Sequence, residues 1–398
     1  MGSSGRPLTS IEICAGAGGQ AVGLHRAGFR HLALLEIDKH ACETLRLNIK
    51  EHEEWSGCEV IEGDVKEVDP FEHDQLKGFG LKPGQLDLLA GGVPCPPFSL
   101  AGKQLGEDDE RDLFPAMLTL VERLRPKAVM IENVRGILEP EPKFKPYRDR
   151  IIARLEEAGY KICGWKVLEA RDYGVPQLRP RAILVAIDKG ILGERSFEWP
   201  TATTDKDHTV AEALKDSMWN RFKEHGAKGE ATYREWLRQA KLQGGVAPTL
   251  VGGSKKHGGA DLGPTRAKAA WAGLGISGLG VANDPEKCVP GRDLFAEPGP
   301  MLTVGQAAII QGFPDDWVFF GGKTARYRQV GNAFPPPVAE AVGRAIAAVL
   351  RPDDQADVVL EVATGQAFEV DLVPAARRGV ESGAAAADRV DDLEAAGV

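Results

Sequence analysis

The chain has 398 residues, 43% of them hydrophobic and 27% charged, with a formal net charge of −9, the composition of an ordinary soluble protein with room for about two domains. No run approaches the roughly 20 apolar residues of a membrane span, and the opening MGSSGRPLTS has no apolar signal-peptide core, so a cytoplasmic protein is expected. The cysteines at 14, 42, 58, 95, 163 and 288 make no CxxC pair and no Cys/His cluster at metal-ligand spacing, so reduced thiols are expected and neither a disulfide scaffold nor a bound metal.

Charge is unevenly spread. Residues 351–398 hold four basic and eleven acidic side chains, a net of −7, whereas residues 221–268 hold ten basic and four acidic ones, a net of +6. A basic stretch of this kind is either a solvated face or the footprint of phosphate contacts.

From residue 8 to about 190 short apolar runs alternate with amphipathic stretches. Strands are expected at 9–14, 31–36, 59–62, 85–90, 128–132, 161–169 and 182–187, with helices at 19–27, 40–48, 115–124 and 148–159. That alternation reads as a doubly wound α/β sheet, whose ligands bind at the carboxyl ends of the strands. The first strand runs into a glycine-rich turn, AGAGGQ, with Gly16, Gly18 and Gly19, and Glu36 ends the next strand 20 residues after Gly16. Glycines let a ligand approach the backbone, and an acid at that distance suits a ribose hydroxyl pair; the spacing departs from the dinucleotide fingerprint and favours a nucleoside without pyrophosphate. Asp64, after the third strand, is either an acid for an adenine amino group or a helix cap.

Residues 91–99 read GGVPCPPFS. Prolines fix φ and remove backbone donors, so Cys95 sits in a stiff loop that continues neither helix nor strand; it is either a buried structural cysteine or a presented nucleophile. Regular pattern breaks after about residue 188. A glycine-rich segment follows to about 300, with one helix expected within 225–245 and mostly loop after it. Pattern resumes at 301–312, and 337–350 is a strongly apolar helix opened by proline. In the tail, 358–373 alternates like a hairpin and the remainder is too poor in large apolar residues to bury a core.

GGVPCPPFS followed by AGKQ, then IENVRG, QLRPR, QGFPDDW and RQVGNAFPPPVAEAVG occur in an order that resembles the C5-cytosine DNA methyltransferase family over about residues 8–350. The resemblance implies a Rossmann-like S-adenosylmethionine-dependent methyltransferase sheet with a smaller irregular target-recognition domain: a catalytic domain at 8–189, target recognition at 190–300, a return to the catalytic domain at 301–350, and an acidic tail at 351–398. It also implies S-adenosyl-L-methionine as methyl donor and a cytosine flipped out of double-stranded DNA as acceptor.

Cys95 is then the nucleophile for cytosine C6. Glu132, at the end of the strand before Asn133, is the proton donor to N3, Arg181 the contact to the cytosine O2, and Arg179, sharing its face two residues earlier, a helper. Around the donor the resemblance assigns Cys14, where the family commonly has an aromatic, and Ile37, where it has a tryptophan. It adds Pro94 in the loop and Asn332 in the final motif. Lys255, Lys256 and Arg266 are the candidate DNA contacts, within a glycine-rich loop at 248–266. Pro96, Ala101 and Gln306 also depart from the commoner Gln, Ser and Glu. The reading is of a monomer, from a bacterial restriction-modification system whose endonuclease acts separately, or a solitary enzyme. A tRNA cytosine-5 methyltransferase is the alternative, disfavoured by the long segment between the two halves; a DNA-binding protein with an inactive core is disfavoured by the intact Cys95, Glu132 and Arg181.

Overall fold

Seven apolar runs form one sheet in the order β3-β2-β1-β4-β5-β7-β6. The computed structural model describes residues 6–94, 112–139, 144–203, 208–252 and 260–351. The strands are β1 (Leu8–Ile13), β2 (Phe29–Glu36), β3 (Glu59–Glu62), β4 (Leu88–Gly92), β5 (Ala128–Val134), β6 (Tyr160–Glu169) and β7 (Pro180–Asp188). The first five run parallel, while β7 is antiparallel to both β5 and β6. Strand order reverses between β1 and β4, which makes their carboxyl ends the switch point where a ligand crevice opens.

Helices α1 (Gly19–Arg26), α2 (Lys39–Glu51), α3 (Asp74–Lys77), α4 (Phe114–Leu124) and α5 (Lys145–Glu157) connect the strands, and the short α6 (Lys189–Leu192) follows β7. One face of the sheet, with Ile11, Ile13, Leu89 and Ile131, packs on Met117, Leu118 and Val121 of α4 and Ile151 and Leu155 of α5. The other face packs Leu88, Ala90 and Val185 with Leu24 of α1 and with Val338, Val342 and Ile346 of a late helix at Pro336–Leu350. The α1 face is lean at Gly23, where a Cβ would fall 2.3 Å from the Pro336 carbonyl oxygen, so the two helices approach backbone to backbone.

Past β7 the chain forms α7 (Val210–Phe222), α8 (Gly226–Gln243), α9 (Thr265–Gly273) and α10 (Pro290–Asp293), then α11 (Val304–Gln311), α12 (Lys323–Asn332) and α13 (Pro336–Leu350). The segment 190–300 is thus more helical than expected. The helix α8 was anticipated, but α7 was not, although its Thr209 and Glu212 form a capping box readable as T-x-x-E. Leu214, Met218 and Phe222 of α7 share one apolar cluster with Val304, Ile310 and Trp317, so this segment is cored against the returning chain.

Most strand bounds shift by one to three residues from expectation, and two of the shifts bear on the site. β4 begins later and takes in Gly91 and Gly92, because a Cβ on Gly91 would lie 2.7 Å from Ile13 and one on Gly92 3.2 Å from a Glu132 carboxylate oxygen. β5 continues past Glu132 to Val134 because Asn133 and Val134 pair with Ala182 and Arg181 of β7. Gln306, in place of the family's commoner Glu, completes the cap of α11 with Thr303 and accepts from Arg221 at 2.7 Å. The tail with its expected hairpin at 358–373 lies outside the described residues. Among the described residues no helix is long and apolar enough to cross a membrane, and no group of three or more His, Cys, Asp or Glu could hold a metal ion.

Candidate active site

A cavity of about 390 Å³ opens at the carboxyl ends of β1 to β5, a size suited to a nucleoside-sized ligand. The turn after β1 forms its rim. Cys14 takes a left-handed φ of 52° and Gly16 one of 54°, and no atom lies within 4 Å of where a Gly16 Cβ would sit, so a ligand can reach this backbone. Glu36 organises the turn. One carboxylate oxygen accepts from the Gly16 amide at 2.7 Å and the other from the Ile37 and Asp38 amides at 2.8 Å each. Ile37 is 68% exposed at the cavity rim. Asp64 lines the same cavity and accepts from the Lys66 amide at 3.0 Å, so it caps a short 3-10 turn and faces the cavity at once. Cys14, Gly16, Gly19, Pro94 and Asn332 complete the walls expected from the sequence.

Gly18 departs from that expectation. It is not among the lining residues; a Cβ there would fall 2.8 Å from the Trp317 ring and 2.9 Å from Leu45, and the Trp317 indole donates to the Ala17 carbonyl at 2.9 Å. Its missing side chain makes room for Trp317. Gly19 likewise abuts protein, with a Cβ position 2.3 Å from the Phe334 carbonyl oxygen, which brings α1 and the chain after α12 together as adjoining walls. Burial and the nearby Glu36 and Glu12 carboxylates push the Cys14 thiol strongly upward, so it stays neutral.

Glu132 stands at the other end of the cavity. Its side chain is 13% exposed, and one oxygen receives the Arg181 Nε at 2.8 Å. Glu132 pairs with Ile183 and Arg181 lies two residues before it, so the ion pair is a diagonal contact across β5 and β7. Burial raises the Glu132 pKa, and Arg181 and then Arg179 pull against it without cancelling the rise. Next to it, Asn133 donates to the Val93 carbonyl at 2.7 Å and thereby ties the end of β5 to the loop two residues before Cys95. Cys95 itself lies outside the described residues, as do Pro96 and Ala101.

Arg179 and Arg181 do not act on the same partners. Arg179 precedes β7 and is 1% exposed, and its guanidinium donates to the carbonyls of Leu250 at 2.6 Å, Gly331 at 2.7 Å and Ala333 at 2.9 Å. It clasps backbone from two segments, the stretch at Leu250 and the end of α12, and burial, with Arg181 beside it, lowers its pKa. The loop carbonyls capture Arg179 before the strand alternation that begins at Pro180 can set its face.

A profile of the C-5 cytosine-specific DNA methylases matches residues 8–348. The chain belongs to this family. Curated relatives of this methylase include the type II methyltransferase M.NaeI of Lentzea aerocolonigenes, 50% identical over 86% of this chain and 75% of that protein. The type II methyltransferase M.NgoMIV of Neisseria gonorrhoeae is 47% identical over 87% of this chain and 99% of that protein. The fold is also that of a crystal structure assigned to a prophage-encoded DNA modification methyltransferase (E. coli), with a TM-score of 0.58 at 24% identity over 86% of this chain and 99% of that one.

The basic stretch of the methylase is less free than its balance suggests. Arg221 is half-buried and donates to the carbonyls of Met301 at 2.8 Å and Asp293 at 3.1 Å; Arg234 pairs with Glu230, Arg238 with Glu235, and Lys268 with Asp261. Arg266 is exposed in the first turn of α9, while Lys255 and Lys256 lie outside the described residues. Among the charged and amide side chains of the cavity wall, Asp38 was missed as well as Glu12, Gln20 and Arg328. An acid next to last in β1 was the only local signal for Glu12, Asp38 reads only as the N-cap of α2, and nothing in the sequence pointed to Gln20 or Arg328.

Proposed function

We propose that this methylase transfers a methyl group from S-adenosylmethionine to C5 of a cytosine flipped from a specific duplex sequence, as the modification enzyme of a type II restriction-modification system. The observation that carries the reading is the buried Glu132–Arg181 pair at the cavity end next to the Gly91–Pro94 approach to Cys95. The charge of the cavity agrees: among the described residues it is lined by the acids Glu12, Glu36, Asp38, Asp64 and Glu132 and by one cation, Arg328, a set that suits a cationic ligand. When bound, the donor supplies an electrophilic methyl group on a sulfonium centre. Glu36 would hold its ribose and Asp64 its adenine, with Ile37 against the ring.

Cys95 adds to C6 as the thiolate, which makes C5 nucleophilic. Negative charge grows toward N3, where Glu132, raised by its burial, gives a proton; Arg181 meets the cytosine O2, and Asn133 keeps the loop before Cys95 in place. After methylation the C5 proton leaves and Cys95 is expelled. Flipping is required because a stacked base cannot offer both faces of its ring. The segment 190–300 reads the target, with Arg266, Lys255 and Lys256 at the phosphates.

The test is a duplex whose target cytosine carries fluorine at C5, which cannot leave as a cation. A denaturant-stable protein–DNA adduct is expected, dependent on S-adenosylmethionine, mapping to Cys95 and absent from Cys95→Ser. An adduct on Cys14, Cys42, Cys58, Cys163 or Cys288 would make Cys95 structural.

A further inference from the structure

The stretch from Ala247 to Leu250 is bonded along the loop that precedes β7. The Ala247 amide donates to the Pro176 carbonyl and the Leu178 amide to the Ala247 carbonyl, each at 2.8 Å, and the Thr249 hydroxyl donates to the Leu178 carbonyl at 2.6 Å. Gln177 is fully buried beside this seam. Its Oε1 accepts from the Leu250 amide at 2.7 Å, and its Nε2 donates to the Gln311 Oε1 at 2.6 Å. The Gln311 carboxamide donates in turn to the Ala333 carbonyl, and Arg179 closes the circuit through the carbonyls of Leu250, Gly331 and Ala333. Gly252 then meets the cavity wall directly: a Cβ there would fall 2.0 Å from the Asn332 Oδ1, and one on Gly331 would fall 2.6 Å from the Gly252 amide nitrogen. Asn332 and Ala333 line the cavity. On the outer side of the seam Leu178 and Val251 remain exposed.

We propose that Gln177 and Gly252 are positioning residues through which a duplex seated on the stretch 247–252 and a donor held in the cavity strengthen each other's binding. The assignment rests on the reading of segment 190–300 as target recognition and of the cavity as the donor's. If Leu250 moves relative to Ala333, the buried carboxamides of Gln177 and Gln311 and the guanidinium of Arg179 lose partners that nothing else replaces, a change a folded interior resists. Gly252 and Gly331 meet backbone to backbone, so no flexible side chain absorbs a displacement between them. Leu250, Gly252 and Asn332 therefore move as one body. A donor that fixes Asn332 also fixes the stretch on which the duplex bears, and it removes ordering that the duplex would otherwise have to impose. By linkage the duplex tightens the donor by the same factor. Gln177 carries the link to α11, and Gly252 carries the direct contact with the wall.

The test measures duplex affinity of the full-length protein by fluorescence anisotropy, without and with saturating S-adenosylhomocysteine, and affinity for that nucleoside alone by calorimetry. The duplex carries the target site, located beforehand by mapping 5-methylcytosine in DNA treated with the enzyme. The wild type should hold the duplex at least about fivefold more tightly when the nucleoside is present. Gln177→Met keeps the length of the side chain and loses its amide. It should bind each ligand alone within about threefold of wild type, while the enhancement falls below about twofold. Retained binding of the single ligands shows in the same experiment that the variant is folded. Should Gln177→Met not fold, Gly252→Ala, which strains the contact with Asn332 itself, is read by the same ratio. A wild-type enhancement near one would overturn the coupling while leaving the function reading intact. So would an enhancement that survives in the variants, including one that persists when both single affinities fall. Wild-type protein that methylated no cytosine and bound no S-adenosylhomocysteine would overturn both.

Discussion

The Arg181 Nε lies 2.8 Å from the Glu132 Oε1, both side chains 13% exposed, near the carboxyl end of β5 where it pairs in the opposite direction with the start of β7. Only the antiparallel insertion of β7 between β5 and β6 sets these two residues on one face. Burial raises the Glu132 pKa and Arg181 is the first group to oppose it, so the protonation of the acid is tied to where the guanidinium sits. Glu132→Gln should therefore bind the methyl donor within about threefold of wild type yet react at least about 100-fold more slowly, the scale of a positioned general acid. Arg181→Ala removes an opposing cation, so the Glu132 pKa rises further and the fall of activity on the alkaline side of the pH–rate profile moves to higher pH, on top of a lower rate. Single-turnover rates across pH check both; a profile in Arg181→Ala that moved to lower pH would contradict the coupling.

Gly19→Ala tests the joint between the cavity walls. A Cβ there would sit 2.3 Å from the Phe334 carbonyl oxygen and 3.1 Å from the Ala333 Cβ. Backbone cannot yield as the end of a flexible side chain can, so α1 must shift away from the chain that follows α12. Overpacking of this kind costs about 1–3 kcal/mol. The expected outcome is a lower melting temperature together with at least tenfold weaker S-adenosylhomocysteine binding. Gly28→Ala serves as the comparison, since no atom lies within 4 Å of its Cβ position; its left-handed φ of 90° should cost stability without loss of binding.

The parallel part of the sheet was legible because each of its strands is a short apolar run bounded by turn residues, and the motifs by themselves pointed to Glu132, Arg181 and Asn332 as candidate site residues. What escaped was non-local. Nothing in the run Leu-Asp-Leu-Leu-Ala tells that Gly91 and Gly92 extend β4, since the reasons are Ile13 and Glu132 on neighbouring strands. Gly18 looked like its neighbours in the turn, yet it faces Trp317, almost 300 residues later. Alternation put Arg179 beside Arg181, but carbonyls of Leu250, Gly331 and Ala333 claim it. The place of Gln20 in the cavity wall was invisible for the same cause, because its burial is set by the folded chain around α1 and not by the residues beside it in sequence.

Phosphate contacts are expected from the cations that are not engaged within the fold. Arg221, Arg234, Arg238 and Lys268 already have protein partners, whereas Arg266 is exposed. Replacing Lys255, Lys256 and Arg266 together by Ala should weaken binding to all duplexes and reduce the slope of log affinity against log salt by up to about three, close to one per lost contact. Replacing Arg234 and Arg238 instead should leave that slope unchanged. Fluorescence anisotropy over a salt series distinguishes the two sets, and equal slope changes in both would mean that the basic stretch acts only through its summed charge.

His31 predicts how the fold responds to acid. The ring is 2% exposed on β2. Its Nδ1 lies 2.9 Å from the Ser10 hydroxyl and its Nε2 2.9 Å from the Ala21 carbonyl. Since a carbonyl only accepts, Nε2 carries the proton and donates to it, leaving Nδ1 as the acceptor for Ser10. The site is thus built for neutral imidazole. Burial lowers the pKa to about 4, the bond to Ala21 resisting and His25 adding to the fall. Because the folded value lies below the unfolded one, near 6.5, both states are neutral above pH 6.5 and the full stability is present there. Between pH 6.5 and 4 the unfolded chain takes up a proton that the fold refuses, which removes about 1.4 kcal/mol per pH unit and about 3 kcal/mol across the window. His31→Gln keeps a donor for Ala21 but cannot titrate. It should be less stable than wild type at pH 7.5 and lose less stability than wild type between pH 6.5 and 4.5. Chemical denaturation at a series of pH values measures the difference directly, and parallel curves for the two proteins would show that the acid sensitivity resides in other groups.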